Sequence, residues 1–342
     1  MTNILVIYTG GTIGMKQHHE TGVWKPFNFK QIVEEVPVLK KFDFGIDTLS
    51  FEPLIDSSEA QPSFWAKLAQ LISDNYAKYD GFVILHGTDT MSYTASALSF
   101  MLENLEKPVV LTGSQLPIGM LRTDGMENMV SAIEVAAAKE NGHPCVPEVC
   151  IFFESQLFRG NRTTKDNAEQ FRAFRSANYP ALANAGVYIK FNTPAIRYPV
   201  QWGQPLKINT RLDNNVAVLK IFPGISQKII ESILNTKDLR AVILETYGSG
   251  NAPTAPWFVH TLKQAADRGL ILVNITQCAA GSVDMEKYET GMALKKLGVL
   301  SGYDSTTEAA LTKLFFLLGQ YEDNQCIKKL WQKNISGEIS LI

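Results

Sequence analysis

The amino-acid sequence predicts an α/β fold with two domains. Short apolar runs alternate with amphipathic stretches at helical spacing, which is typical of a largely parallel sheet covered by helices. The chain has 342 residues, more than one ordinary core accommodates. The alternation stops from 192 to 215, where prolines and polar residues show no period. We therefore predict an N-terminal domain over 1–191, a linker over 192–215 and a C-terminal domain over 216–342.

Seven apolar runs are predicted as strands. Each is short, nearly unbroken and rich in β-branched or aromatic residues, as expected for strands buried on both faces. In chain order they are Ile4–Tyr8, Phe82–Leu85, Val109–Leu111, Val149–Phe153, Val216–Phe222, Val242–Leu244 and Leu270–Ile275.

Three predicted helices have recognisable ends. Pro62 begins a helix whose apolar residues recur at helical spacing, and Pro256 begins another that Gly269 can end. Ser305 and Glu308 have the spacing of a capping box ahead of a third helix.

The composition argues against several classes of partner. The 34 acidic and 32 basic residues form no basic stripe, which argues against nucleic acid and anionic membranes. No apolar run approaches the roughly 18–20 residues that cross a bilayer, and no signal-peptide pattern is present. The four cysteines form no CxxC pair, so we expect reduced thiols and a cytoplasmic protein.

The first strand leads into an unusual hydroxyl. Thr12 follows two glycines in the segment TGGTIG at 9–14, at the sheet edge where α/β proteins bind ligands. Paired glycines allow close backbone approach or positive φ, although a plain tight turn is the alternative. A phosphate loop is not supported, because neither GxGxxG spacing nor a following GK[ST] is present.

A second candidate segment, HGTDT at 86–90, follows the strand that ends at Leu85. Thr88 and Asp89 could serve a ligand site there. Equally, the segment 86–90 could cap a helix predicted over Tyr93–Leu105, because Thr and Asp are favoured at N-caps. His86 is expected to be a hydrogen-bonded histidine at the strand end.

Two other polar segments have ordinary alternatives. The segment RGNRTTK at 159–165 ends in Lys165 and would, by itself, be a solvated loop. Asp56, Ser57 and Ser58 could bind a ligand or form a turn and cap ahead of the next helix.

Together these segments contain the parts of an acyl-transfer site that uses no histidine. A threonine hydroxyl is a weak nucleophile and needs a group that accepts its proton. A neutral Lys165 among hydroxyls, with Asp89 behind it, could accept that proton. N–H groups of the glycine-containing loops could stabilise an oxyanion. Thr12, Thr88, Asp89 and Lys165 are therefore the candidate catalytic residues, provided that the fold brings them together.

The chain resembles the bacterial L-asparaginase/glutaminase family along essentially its whole length, most closely the cytoplasmic type I asparaginases. The resemblance rests on two long motifs, YTGGTIG at 8–14 and ILHGTDT at 84–90. The supporting segments are DSS at 56–58, GSQ at 113–115, GNRTTK at 160–165 and YGSGNAP at 247–253.

This resemblance implies an L-asparagine amidohydrolase that uses no cofactor and no metal. Thr12 would attack the side-chain amide, release ammonia and form a β-aspartyl-enzyme that water resolves. Thr88, Asp89 and Lys165 would activate Thr12 or the water. The substrate-binding residues implied by the family are Asp56, Ser57, Ser58, Gly87, Thr88, Asp89 and, from a neighbouring subunit, Asn251.

The resemblance also implies an architecture and an assembly. The expected fold is a larger N-terminal α/β domain with a mixed sheet and a smaller flavodoxin-like C-terminal α/β domain. Active sites would lie at a dimer interface, and dimers would pair into homotetramers.

This sequence departs from the family pattern at two places. Members usually have a tyrosine in the loop after the first motif, whereas Lys16–Phe27 contains none and has Val23 and Trp24 in that region. The effector site of some type I enzymes is matched by Thr164 and Cys278. Glu245 stands where an arginine is expected, and this predicts a loss of asparagine-induced cooperativity.

Two other functions are alternatives. The chain could be the amidase subunit of a tRNA-dependent amidotransferase, although a tRNA-binding surface should be basic. It could also be an amino-acid sensor that has lost the chemistry, although all four candidate catalytic residues are present. Selectivity between asparagine and glutamine depends on one methylene and is not predicted.

Overall fold

The computed structural model of the chain describes residues 1–17, 24–26 and 36–341, with side chains described for 1–15 and 36–341. The chain divides into two compact units, Met1–Thr210 and Arg211–Ile342.

The described part of the first unit contains many short strands and three α-helices. Its helices are α1 (Pro62–Asn75), α2 (Met91–Met101) and α3 (Gly125–Ala137). Its strands are β1 (Asn3–Tyr8), β2 (Met15–Gln17), β3 (Trp24–Pro26), β4 (Gly45–Ser50), β5 (Gly81–Leu85), β6 (Leu102–Glu103), β7 (Val109–Thr112), β8 (Lys139–Glu140), β9 (His143–Pro144), β10 (Val149–Phe153), β11 (Gln156–Arg159), β12 (Thr164–Lys165), β13 (Phe174–Arg175), β14 (Ala183–Ala185), β15 (Ile189–Phe191) and β16 (Lys207–Ile208).

Eight of these strands form one mixed sheet, in the order β15-β14-β11-β10-β7-β5-β1-β4. The five strands from β10 to β4 are parallel, and β11, β14 and β15 extend the sheet in antiparallel fashion. Strands β1, β5, β7 and β10 are almost wholly buried, which explains their unbroken apolar sequences. The mixed sheet of the first unit is confirmed.

The second unit contains one parallel sheet of four strands, in the order β17-β18-β19-β20. Its strands are β17 (Val216–Lys220), β18 (Ala241–Thr246), β19 (Ile271–Thr276) and β20 (Leu300–Ser301). Its α-helices are α4 (Gln227–Leu234), α5 (Pro256–Asp267), α6 (Glu289–Lys296), α7 (Thr307–Gln320) and α8 (Asn324–Trp331). This smaller α/β unit confirms the predicted fold class.

The seven predicted strands are all present, with ends shifted by up to two residues. Strand β4 was missed because it lies at the sheet edge, where Asp47 and Thr48 are exposed and interrupt the apolar pattern. The division between 210 and 211 falls within 192–215, and β16 in that segment pairs with β6.

The predicted helix ends are only partly correct. α1 begins at Pro62, and α5 begins at Pro256 and is followed by Gly269 at a φ of 92°. The capping box at Ser305 is wrong: Thr306 is the N-cap of α7, and its hydroxyl accepts a hydrogen bond from the Ala309 amide at 3.1 Å. No helix among the described residues is long and apolar enough to span a membrane.

A buried ion pair connects the C-terminal segment to α7. Lys313 and Glu338 are each 1% exposed, and the Lys313 ammonium donates to a Glu338 carboxylate oxygen at 2.5 Å. The same ammonium donates to the carbonyl oxygens of Trp331 and Lys333 at 2.8 and 2.7 Å. The Glu338 carboxylate in turn accepts hydrogen bonds from the amides of Ile335 and Ser336. The pair therefore holds the turn after α8 in place.

We expect Lys313→Met to lower the free energy of unfolding by about 3–5 kcal/mol, because it leaves the Glu338 carboxylate buried without its cation. Urea unfolding followed by circular dichroism measures the loss. Lys263→Met, which breaks an exposed ion pair with Asp267, is the control and should change stability by less than about 1 kcal/mol. Equal losses in the two variants would contradict a special role for the buried pair.

Candidate active site

The loop after β1 (9–14, the first loop) and the loop after β5 (86–90, the second loop) touch through their backbones. Gly10 and Gly11 have φ values of 126° and 89°, in the region that glycine favours. A Cβ on Gly11 would lie 2.5 Å from the Gly87 Cα, and one on Gly10 would lie 2.1 Å from the Ile55 carbonyl oxygen. The paired glycines therefore permit a contact that larger residues would block, and Thr12 follows immediately.

The register of the sheet places both loops at the same edge. Tyr8 lies opposite Leu85 in the parallel pair β1–β5, so the two loops leave the sheet at the same level. The Thr9 hydroxyl donates to the Leu85 carbonyl at 2.9 Å. Thr12 is half-buried and begins a short 3-10 helix, and the Tyr8 hydroxyl donates to the carbonyl of Gly14 at its end.

Lys165 connects Thr88 and Asp89 of the second loop. Its ammonium donates to the Thr88 hydroxyl at 2.8 Å and to an Asp89 carboxylate oxygen at 2.6 Å. The Lys165 side chain is 18% exposed, whereas that of Asp89 is 65% exposed. An ion pair with so exposed a partner contributes little to stability. It orients the ammonium towards Thr88, so three of the four candidate side chains, Thr88, Asp89 and Lys165, lie within hydrogen-bonding distance of one another through Lys165.

The segment that carries Lys165 is fixed by buried contacts. The Arg159 guanidinium forms two hydrogen bonds to the buried carboxylate of Glu148, at 2.6 and 3.1 Å. After Arg159 the chain turns through the 3-10 helix Gly160–Arg162, and the Thr163 hydroxyl donates back to the Arg159 carbonyl at 2.7 Å. These bonds determine where β12 delivers Lys165.

The cap alternative for the segment 86–90 is met in position by Thr90, the N-cap residue of a helix that spans Met91–Met101 instead of Tyr93–Leu105. The Thr90 side chain makes no capping hydrogen bond, and Thr88 and Asp89 precede the cap. The Thr90 hydroxyl donates to the Ser57 carbonyl at 2.7 Å.

The segment 56–58 forms a capped turn against the second loop. Asp56 is the N-cap of a short 3-10 helix, and one of its carboxylate oxygens accepts from the Ser58 amide and hydroxyl, both at 2.9 Å. Ser57 is buried, and its hydroxyl would lie 2.4 Å from a Cβ on Gly87. The turn-and-cap interpretation is therefore correct for the local structure, and the turn lies directly beside Gly87.

His86 belongs to a buried hydrogen-bond chain. Its Nδ1 lies 2.7 Å from the Gly87 carbonyl oxygen, and its Nε2 lies 3.0 Å from the Thr94 hydroxyl. The Thr94 hydroxyl accepts a hydrogen bond from the Trp65 indole N–H at 3.0 Å. Burial lowers the pKa of His86 to about 4, outweighing the opposite effect of the Gly87 carbonyl. A neutral ring with its proton on Nδ1 satisfies every partner. The expected strand-end role of His86 is confirmed.

Sequence reasoning gave no role to Gln115 and missed Asp124. The Gln115 side-chain oxygen accepts a hydrogen bond of 3.5 Å from the Thr88 hydroxyl. The backbone N–H of Gln115 donates to the Asp124 carboxylate. Asp124 also accepts from the Leu116 amide and from the side chain of Asn128. The segment GSQ pointed to this region, but no pattern connected it with an aspartate nine residues later.

Comparisons with known proteins identify the family of this chain. Residues 3–197 match the family domain "Asparaginase, N-terminal", and residues 215–331 match the "Glutaminase/Asparaginase C-terminal domain". The chain belongs to the asparaginase family. It is therefore an enzyme, a hydrolase that acts on an amide C–N bond.

Individual relatives match along the whole chain. L-asparaginase 1 of Escherichia coli (strain K12) is 44% identical over 99% of this chain and 98% of its own length. The crystal structure of L-asparaginase I from Vibrio cholerae has a TM-score of 0.89 at 43% identity and covers 99% of both chains. A 60 kDa lysophospholipase of Mus musculus is 41% identical over 99% of this chain but only 62% of its own length.

The remaining predicted residues of this asparaginase are divided between the two units. Thr164 is half-buried in β12, next to Lys165. Asn251, Glu245 and Cys278 belong to the second unit. The Asn251 side-chain oxygen accepts a hydrogen bond from the Thr290 hydroxyl at 2.7 Å.

The loop that lacks the family's tyrosine lies mostly outside the described residues. Val23 is not described, and Trp24 is described only as backbone of β3. Within the described part of the chain, no group of three or more His, Cys, Asp or Glu side chains could hold a metal ion.

We expect His86→Asn to flatten the pH dependence of folding stability on the acid side. The His86 pKa is about 4 when folded and near 6.5 when unfolded, so the unfolded chain binds more protons between these values. Stability therefore rises with pH across this window and is lost as the pH falls. Removing the imidazole should lower the slope by up to about 1.4 kcal/mol per pH unit, as measured by urea unfolding. Equal slopes in the variant and the wild type would contradict the assignment.

Proposed function

We propose that this asparaginase hydrolyses L-asparagine to L-aspartate and ammonia with Thr12 as nucleophile. The observation that carries the proposal is the hydrogen bonding of Lys165 to both Thr88 and Asp89. Thr88 and Asp89 stand on the second loop, whose backbone touches the first loop beside Thr12, and Lys165 reaches them from β12.

The reaction follows from the chemistry of these groups. The Thr12 hydroxyl oxygen attacks the side-chain carbonyl carbon and loses its proton to the Thr88–Lys165 pair. The C–N bond breaks, the amide nitrogen takes a proton and leaves as ammonia, and a β-aspartyl ester remains on Thr12. Water then attacks this ester, which releases aspartate and restores the hydroxyl. Lys165 donates to Thr88 in the resting geometry, so it must release a proton before it can accept one.

The second loop is suited to stabilise the negative charge on the carbonyl oxygen. His86 bonds the Gly87 carbonyl, and in a trans peptide the N–H points opposite to the C=O. The Thr88 N–H is therefore directed away from the buried histidine. A backbone donor held rigidly in this way suits an oxyanion, because no reorganisation is needed during the reaction.

Substrate binding is proposed for the turn at 56–58 together with Gly87, Thr88 and Asp89. One oxygen of Asp56 is engaged by Ser58, and its other oxygen can accept from the substrate's ammonium. Serine hydroxyls can donate to the α-carboxylate. Asn251 is proposed to contribute from a neighbouring subunit.

We expect Thr12→Ala to lower kcat for asparagine by at least about 10³-fold, because the nucleophile is absent. Lys165→Met should lower it by at least about 10²-fold. Ammonia release by the purified enzyme measures both effects. Lys207→Met, which removes an exposed lysine of β16, is the matched control and should retain activity.

The same assay separates the alternatives. Asparagine binding without ammonia release by the wild type would favour a sensor and overturn the proposal. A parallel assay with glutamine measures the selectivity between the two amides, because one methylene changes binding by only about 1–3 kcal/mol. A further assay with a lysophospholipid measures whether the enzyme also hydrolyses that class of compound.

We also propose that asparagine does not act as an allosteric effector of this enzyme. Glu245 stands at the end of β18, and its carboxylate accepts a hydrogen bond from the Thr307 hydroxyl at 2.8 Å, at the first residue of α7. A carboxylate held there would repel the α-carboxylate of an effector. Thr164 and Cys278 alone would not compensate for that repulsion.

The expected result is a hyperbolic dependence of rate on asparagine concentration, with a Hill coefficient near one. Steady-state ammonia release over a wide concentration range measures it, and Cys278→Ala should leave the curve unchanged. A sigmoidal curve that the cysteine substitution abolishes would contradict the proposal.

We further propose that the enzyme is cytoplasmic and associates as a dimer or homotetramer, with domain limits at 1–191, 192–215 and 216–342. Sedimentation velocity distinguishes these assemblies from a monomer.

A further inference from the structure

An open cleft of about 290 Å³ lies at the amino end of the sheet in the second unit. Arg240 precedes β18 and Leu270 precedes β19, so the cleft lies opposite the carboxyl ends that lead to Asn251 and Cys278. It is lined by Leu234, Asn235, Thr236, Leu239, Arg240, Arg268, Gly269, Leu270 and Asn324. This volume is at the lower end for ligand pockets and suits a small molecule.

Arg240 is held at the cleft by two acceptors. Its Nη1 donates to an Asp213 carboxylate oxygen and to the Leu318 carbonyl, both at 3.0 Å. The Arg240 side chain is 30% exposed. Both hydrogen bonds use one terminal nitrogen, whereas a guanidinium presents further N–H donors in the same plane. The group is therefore oriented and still has donors for a ligand.

Arg268 also lines the cleft and is likewise held by two acceptors. Its Nη2 donates to the Leu234 carbonyl at 3.3 Å and to the Asn235 side-chain oxygen at 2.9 Å. Both acceptors lie at the end of α4 and are uncharged. Arg268 thus contributes a positive charge that neither acceptor cancels, because the carbonyl end of a helix carries only a partial negative charge.

The charges around the cleft favour an anion. No carboxylate is among the lining residues, which all lie within the described part of the chain. Asp213 pairs with Arg240, and the Asp267 carboxylate, next to Arg268, is bonded by Lys263 at 2.8 Å. The Thr236 hydroxyl donates to the Ser232 carbonyl and the Asn324 side-chain amide to the Gly269 carbonyl. Each amide NH₂ of Asn235 and Asn324, but not the Thr236 hydroxyl, can therefore donate a further neutral hydrogen bond.

We propose that this cleft binds a small anion through a phosphate group. Two guanidinium groups present several forked N–H donors. The oxygens of a phosphate group can accept from more of these donors than the two oxygens of a single carboxylate can. Because the cleft lies at the sheet edge opposite the segments of Asn251 and Cys278, the anion is neither the substrate nor an occupant of the predicted effector site. Bound between the segments that lead into β18 and β19, it stabilises the second unit.

Thermal unfolding of the full-length enzyme in phosphate tests the proposal, with chloride at equal ionic strength as the reference. We expect phosphate at millimolar concentrations to raise Tm. Isothermal titration calorimetry should then give a dissociation constant for phosphate in the same concentration range. Arg268→Gln should weaken phosphate binding by at least about tenfold, because a charged fork of donors is lost. Arg268→Lys, which keeps the charge without the fork, should bind with intermediate affinity.

Lys228→Gln removes one positive charge from an exposed position on α4 outside the cleft and should bind phosphate like the wild type. Titrations with a small phosphate monoester and with malonate distinguish a phosphate group from a generic dianion. The proposal is overturned if phosphate gives no more stabilisation than chloride. It is equally overturned if Arg268→Gln and Lys228→Gln bind phosphate alike, or if malonate binds as tightly as phosphate.

Discussion

The proposed active site depends on the contact between the backbones of Gly11 and Gly87. This contact joins two loops that leave neighbouring parallel strands, and it leaves no room for a side chain at Gly11. Thr12 directly follows Gly11 and Thr88 directly follows Gly87, so the contact brings together the backbone segments that carry these two threonines. The chemistry proposed for the enzyme therefore rests on a packing constraint more than on any single strong bond.

Around this contact, the electrostatics are divided between buried and exposed groups. The ion pair Glu148–Arg159 and the neutral His86 are buried and satisfied, and they fix the backbone segments that carry Lys165 and Thr88. Asp89, by contrast, is largely exposed. A solvated carboxylate can adjust to a substrate's ammonium, whereas the buried groups keep the catalytic geometry unchanged. This division suits a site that must be rigid at the reacting atoms and open at the entrance.

The second unit shows a different use of charge. Glu245, near the carboxyl end of β18, accepts a hydrogen bond from Thr307, while Arg240 and Arg268 border a cleft at the amino end of the sheet. In the two proposals made for this unit, the Glu245 carboxylate repels an anionic effector, whereas the two guanidinium groups bind a small anion.

Much of the fold could be predicted from sequence, because strands buried on both faces leave unbroken apolar runs such as Val149–Phe153. The edge strand Gly45–Ser50 and the cap at Thr306 could not, since exposure and local hydrogen bonding leave no distinctive pattern. The two glycine-containing motifs identified Thr12, Thr88 and Asp89 as candidates, and the polar segment 159–165 added Lys165. Only the tertiary structure decided that Lys165, distant in the chain, reaches Thr88, and that Asp124 supports Gln115. A long-range pair such as Lys165–Thr88 depends on how the strands are ordered in the sheet, and no local stretch of sequence encodes that order.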